Sequence, residues 1–559
     1  MAEVIPLIIE SSTVPEMYLE NNPYIVMKRT LTGGYTIIYI DERHIENVIN
    51  NVENYATNVY PVVLGLLGRE ELIASGIAQV HSQPVLSLRG KGVLIGFVDT
   101  GIDYTLDTFR NEDGSTRIRY IWDQSIQGDM PYEEHYGAQY TEDDINAALR
   151  SDNPRAVLPH VDTVGHGTFL ASIAAGRESG MHVGAAPECQ IIMVKMRRAT
   201  NFEYRRFLIP PDQENAFSAA DFMMGVQYLI DRAHELDMPI AICVSVGTNK
   251  GGHDGGFHLE GYLTRVSGII GTAVCAAAGN EAQAGHHTHT KLDNTGDTTD
   301  VGLKVGPRHE DIYISMWNSS ADRLSVSIKS PTGEVINRVP ARSGISYTQR
   351  LVFEHSTVTV EYVFPVELRG EQVTRIKILR ATPGIWTITV YGDSILDGQF
   401  HLWLPLTGFI APETTFLTPT PNYTIVLPAT SSGVICCGAY NSANGSLSPT
   451  SSWGPSRRPA ILPDFVAPGV NVSGIFPGGG QGNMSGTSVS AAITAGASAL
   501  LLQWSIAERH DMSIDTYRLR ADLISGCERE PGMDYPNNQW GYGKLNLYNT
   551  FRTLRYRET

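Results

Sequence analysis

At 559 residues the chain exceeds what one hydrophobic core supports, so two or three domains are expected. Its 42% hydrophobic and 18% charged content describes a folded globular protein and excludes a disordered one. A formal charge of −17 argues against a nucleic-acid partner, because phosphate binding needs clustered Lys and Arg.

No uncharged apolar run of membrane-spanning length is read, so no membrane partner is expected. The start, Met1-Ala2-Glu3-Val4-Ile5-Pro6, has no basic region followed by an apolar core, which implies no secretory signal and synthesis in the cytoplasm. Six cysteines are too few for a disulfide framework. Cys243, Cys275, Cys436 and Cys437 stand in apolar runs as small hydrophobes, and the absence of any Cys-x-x-Cys pair argues against a zinc or redox site.

Residues 1 to about 60 read as a small α/β unit. Tyr24–Met27 and Tyr35–Ile40 are strands split by the Thr32-Gly33-Gly34 turn, and Asp41 caps a helix reaching Asn54. Such a unit has little core of its own and is expected to dock on its neighbour. Asn58–Leu64 is extended, and a short helix runs from Arg69 to about Val80.

Next comes Val93-Leu94-Ile95-Gly96-Phe97-Val98-Asp99-Thr100-Gly101, an apolar run of the kind a doubly covered parallel strand needs, ending in an aspartate and a tight turn. Alone, Asp-Thr-Gly fits an aspartic-protease half or a structural turn equally well. Gly165-His166-Gly167-Thr168 heads a small-residue helix. Strands at Gln190–Lys195, Ile240–Ser245 and Ala273–Asn280 alternate with a helix over Ser218–Leu236, which describes a parallel α/β sheet. From Asp311 to Leu406 helix signals give way to short alternating strands, suggesting a sandwich or jelly roll. The α/β pattern resumes at Gly433–Tyr440, so this β unit is an insertion.

Gly486-Thr487-Ser488 then opens an unbroken small and apolar run through Leu501, a buried helix with a hydroxyl in its first turn. A serine there lies where unpaired N–H groups favour developing negative charge. By itself it could be a simple N-cap. Taken with Asp99 and His166 it completes a triad candidate: a hydroxyl nucleophile, a base to take its proton, and a carboxylate to hold the base's tautomer.

Val-Asp-Thr-Gly-Ile-Asp at Asp99, Gly-His-Gly-Thr at His166 and Gly-Thr-Ser at Ser488, in the order Asp, His, Ser, resemble the signature segments of the subtilisin family of serine endopeptidases. The resemblance implies that Asn280 and the Ser488 backbone N–H form the oxyanion hole. It also implies that Ser245, Val246 and Gly247 pair with the substrate backbone and, with Ala277, Ala278 and Gly279, wall the pocket for the substrate side chain. Phe169 replaces the family's usual histidine, and Ala492-Ile493 replace Pro-His, so altered packing is expected. The loop from Ala175 to Val183 lacks an asparagine-rich calcium-binding insertion. No cofactor is therefore called for, and calcium is unsupported.

Within the family, the short leading unit, the join from Tyr60 to Val93 and the β insertion resemble the clostridial Csp spore-germination proteases. The chain then divides into 1–60, a prodomain acting as intramolecular chaperone and inhibitor; 61–290 and 426–559, the two parts of a subtilisin-like catalytic domain; and 291–425, an inserted β-sandwich or jelly roll. The resemblance implies protein substrates, self-cleavage near Asn58 with the prodomain left bound in the cleft, spore association, and activation of a cortex-lytic precursor. A general degradative subtilase and a catalytically silent signalling pseudoprotease are the alternatives; the intact triad argues against the second. The His286-His287-x-His289 cluster reads as a solvated loop in preference to a metal site.

Overall fold

The structure, a computed structural model, describes residues 4–10, 14, 19, 22–45, 47–48, 60–61, 63–66, 74–84, 86–130, 136–178, 183–366, 370–458 and 460–555. At its centre an 8-stranded sheet runs in the order Phe465–Pro468, Ile435–Tyr440, Thr272–Ala277, Ile240–Val244, Leu94–Asp99, Gln190–Lys195, Ile118–Asp123, Ala138–Thr141. Every neighbouring pair is parallel except the last, which is antiparallel. Every residue of Leu94–Asp99, Thr272–Ala277 and Ile435–Tyr440 is buried, as strands covered on both faces require.

The pleat sends Ile95 and Phe97 into one core with the helices His166–Ala175 and Thr487–Leu502. Leu94 and Val98 enter the other, with Ala219–Glu235 and His258–Val266. A Cβ on Gly496 would come within 2.3 Å of the Ala185 Cβ, so only glycine permits that approach. The run Thr487–Ala507 is long and apolar enough to cross a membrane by length and composition, which corrects the expectation that none exists; its most apolar window is 89% buried inside the fold.

The N-terminal strands Val4–Glu10, Ile25–Leu31 and Tyr35–Asp41 form an antiparallel sheet with the third in the middle. Ile8, Met27, Leu31 and Tyr39 join the core beneath the Ala219–Glu235 and His258–Val266 helices. The opposite face keeps a small cluster of its own, with Ile5, Leu7 and Ile38. Thr32 N–H donates to Gln227 at 2.7 Å and Tyr39 to Asp221 at 3.0 Å, which fix the unit to its neighbour. Asp41 caps a short 3-10 turn, Glu42–His44, and residues 49–54 of the expected helix lie outside the described ones. The expected helix from Arg69 is described only as Ile77–Ser82.

The inserted unit begins with the strand His287–Lys291, slightly earlier than expected. Six strands, from His287–Lys291 to Ser346–Arg350, and five more, from Val335–Val339 to Thr415–Phe416, make two antiparallel sheets that share one core. Alternate burial along Thr357–Val363 shows the period of a sandwich strand.

Glu203 caps the helix Asn201–Phe207 by accepting from Thr200 N–H and Oγ1, each at 2.8 Å. Burial pushes its carboxyl up to about 7, Asp221 adding to the shift against hydrogen bonds from Thr200 and Ser218. The folded state therefore holds a proton that the unfolded chain releases above the ordinary carboxyl value, and this stability is lost as pH rises through that window. Between pH ~5 and ~8 the Tm of Glu203→Gln should fall less than that of the unaltered protein, read by scanning calorimetry. Parallel curves would contradict the assignment.

Candidate active site

Asp99 ends its strand at the carboxyl edge of the central sheet, fully buried. His166, first residue of its helix, donates from Nδ1 to Asp99 Oδ1 and Oδ2 at 2.8 and 2.9 Å. Thr100 N–H donates to Oδ1 at 2.7 Å and the Ser245 hydroxyl donates to Oδ2. Burial alone would raise the Asp99 carboxyl; the His166 ring and these donors more than offset it and hold it below the usual carboxylate range. A Cβ on Gly167 would meet the Gly101 carbonyl at 2.3 Å and Asp99 Oδ1 at 3.1 Å, so glycine after the histidine lets the two loops close on each other.

Ser488 occupies the first turn of Thr487–Leu502 and its hydroxyl donates to the Ser245 carbonyl at 3.1 Å. Ser245 therefore touches two members of the expected triad, Asp99 through its side chain and Ser488 through its backbone. Asn280 Oδ1 accepts the Thr487 N–H at 3.2 Å, which ties the amide to the start of the helix and leaves Nδ2 as its donor group. Thr487 Oγ1 accepts the Gly279 N–H at 3.0 Å and locks the two segments together.

Sequence reasoning missed several supports of this arrangement. Asp162 Oδ1 accepts from Thr100 Oγ1 at 2.9 Å and Gly165 N–H at 2.8 Å, while Oδ2 accepts from Thr168 N–H at 2.9 Å. That one carboxylate staples the Asp99 turn to the His166 turn. Its signal was present: an Asp just before a Gly-His-Gly turn, where short acidic side chains cap backbone N–H groups. Behind it, His160 donates from Nδ1 to Asp123 at 2.6 Å and accepts the Ile102 N–H at Nε2, 3.2 Å away.

The expected substrate strand carries a partner. Val246–Gly247 pairs antiparallel with Val63–Leu66, in the register Val246↔Leu66 and Gly247↔Gly65. Val63–Leu66 pairs on its other side with Phe217–Ser218. A segment of the chain itself is thus the middle strand of the cleft, and it lies beyond the expected prodomain boundary. Asn58 and its neighbours lie outside the described residues. Ala277, Ala278 and Gly279 are buried, with Ala278 N–H on the Cys437 carbonyl and the Gly279 carbonyl accepting from Ser452.

Phe169 packs its ring 4.8 Å from Phe476, and Ala492 and Ile493 are buried in the helix core, so these departures from the family pattern serve packing. His286 and His287 are buried, which corrects the solvated-loop reading. His286 Nδ1 lies 2.7 Å from Glu281, which also accepts from Asn249 at 2.8 Å, and His287 bonds His401 at 3.1 Å. Among the described residues no group of His, Cys, Asp and Glu converges on a metal position.

The subtilase family model matches residues 90–302 and 417–543. The solved structure of the Clostridium perfringens CspB protease superposes with a TM-score of 0.77 at 32% identity, covering 87% of this chain and 97% of that one. C5a peptidases of Streptococcus pyogenes, from serotype M18 and serotype M1, are 24% identical over 451 residues. That alignment takes in 76% of this chain and about a third of their length, 36% and 35%. With the family model over both halves of the central sheet and the CspB protease alike over almost its whole length, the chain belongs to the subtilase family.

Proposed function

We propose that the chain is a serine endopeptidase in which Ser488 is the nucleophile, His166 the base and Asp99 its orienting carboxylate. The observation that carries this reading is the buried Asp99–His166 pair beside Ser488, bridged by Ser245. With Nδ1–H directed at Asp99, Nε2 is the basic nitrogen. The Ser488 hydroxyl turns from the Ser245 carbonyl toward it as the reaction begins. The oxygen attacks the peptide carbonyl, His166 takes the proton and delivers it to the leaving amine, and water then releases the acyl group. Asn280 Nδ2 and the Ser488 N–H are the donors for the developing oxyanion.

The strand in the cleft supports processing of the chain by itself. Moving along Val246–Gly247 toward Ser245 is moving from Gly65 toward Leu66 and beyond. Leu66 already stands opposite Val246, one residue short of Ser245, which supports a cut just beyond Leu66 in place of one near Asn58. After the cut, the segment is a bound product at high effective concentration that a peptide substrate must displace. The likeness to the CspB protease favours limited proteolysis of a spore cortex-lytic precursor over general degradation, and association with spores.

Intact mass separates the possibilities. The unaltered protein should release an N-terminal fragment ending within residues 66–69, and Ser488→Ala should stay whole; equal splitting of both would refute self-processing. Asn280→Ala should lower kcat by about 10²–10³, the cost of losing one preorganised donor, with KM little changed. Steady-state kinetics on a peptide substrate would read it, and an unchanged kcat would remove Asn280 from the oxyanion hole.

A further inference from the structure

Beyond the cleft strand the chain meets the junction between the central sheet and the inserted sandwich. A cavity there is lined by Tyr60, Arg206, Phe207, Lys250, Tyr313 and Arg375, among others. A second opens beside it, with Arg206, Glu361, Arg375 and Lys377. Four cations thus face one carboxylate. Arg375 pairs with Glu361 at 3.4 Å, and among the described residues none of Arg206, Lys250 and Lys377 forms an ion pair.

Their partners are rings. Lys250 Nζ sits 3.1 Å from the centroid of Phe207 and 4.6 Å from that of Tyr313. The Arg206 guanidinium lies 4.7 Å over Tyr60, which stacks on Phe202 at 5.7 Å. Burial lowers the Lys250 ammonium well below its ordinary value, and Arg375, Arg206 and Lys377 push the same way. Burial and the Arg206 charge bring Lys377 down to about 8, Glu361 opposing them. The junction therefore holds crowded, incompletely neutralised positive charge inside a chain of net charge −17.

Its position connects it to the cleft. Lys250 follows Gly247 on the cleft-strand side, and Tyr60 precedes Val63–Leu66 on the segment paired with it. A peptide lying along Val246–Gly247 in that direction runs back into the cavity.

We propose that this junction is an anion subsite that takes an Asp or Glu side chain of a peptide substrate, on the amino side of the scissile bond and well removed from it. The inference rests on the peptidase reading above and extends it to specificity. A carboxylate placed among Arg206, Lys250, Arg375 and Lys377 relieves their mutual repulsion and favours the charged form of Lys250, while Phe207 and Tyr313 cover its methylenes. Lysine and arginine here act together, the guanidinium groups offering forked donors and Lys250 a point charge.

The test uses the full-length protein and three fluorogenic peptides. One is short and ends before the junction; the other two are long and carry either Glu or Gln where Tyr60 stands in the chain's own segment, and at the adjacent positions. The unaltered protein should cleave the Glu peptide about tenfold more efficiently than the Gln peptide, the difference residing in KM. In Lys250→Met, and separately in Lys377→Gln at the cavity rim, that ratio should fall toward one; the ratio cancels any general loss from imperfect folding. Equal cleavage of the two long peptides, or a preference that survives both substitutions, would overturn the subsite. Should the short peptide resist cleavage, the failure belongs to the peptidase reading or to the segment held in the cleft, and not to the subsite. Isothermal titration of the long peptides into Ser488→Ala then decides the subsite, tighter Glu binding supporting it and equal binding overturning it.

Discussion

A carboxylate removed from water is the constraint from which the rest of the molecule follows. Asp99 sits at the end of a fully buried strand, where burial favours its neutral form. It remains ionised because His166, Ser245 and Thr100 all donate to it. To bring those donors in, two turns must nearly touch, which Gly167 allows and Asp162 fastens. The parallel sheet supplies the edge, and the closely packed helices bring His166 and Ser488 to the same end of it.

The cleft is assembled from elements far apart in the chain. Val246–Gly247 forms one wall and Phe217–Ser218 the other, with Val63–Leu66 between them. Glu281, next to the candidate oxyanion residue, joins this region to the inserted sandwich through Asn249, His286 and the Thr407 N–H. Burial works against its charge, yet the His286 hydrogen bond and the other donors hold its carboxyl below the ordinary range. A fully buried carboxylate satisfied on several sides couples the sandwich to the cleft as one structure, so the insertion borders the cleft.

The sheet was legible because an apolar run such as Leu94–Val98 has one stable environment, a strand covered on both faces. Asp99, His166 and Ser488 stood out through the glycines around them, which mark close backbone approaches. The role of the Ser245 hydroxyl was not legible, since a serine at a strand end carries no local pattern and its partner is Asp99, on a distant strand. His286 and His287 looked solvated because their burial depends on Glu281, His401 and Trp403, the last two reached only after the whole sandwich has folded back. Val4–Glu10 escaped notice as a strand because it contains Pro6 and is buried on both faces, Ile8 against the docked helices and Ile5, Leu7 and Ile9 in the unit's own cluster, so it shows no alternation. The resemblance implied a leading segment left in the cleft, but which residues lie there could not be read, because strand register is a property of two segments together.

Labelling of the purified protein with a fluorophosphonate, followed by peptide mapping, tests most directly whether the buried carboxylate–imidazole pair activates the neighbouring hydroxyl. The account predicts a single adduct on Ser488 that disappears in His166→Ala and forms far more slowly in Asp99→Asn. An adduct elsewhere, or one on Ser488 that forms equally fast without the imidazole, would contradict it.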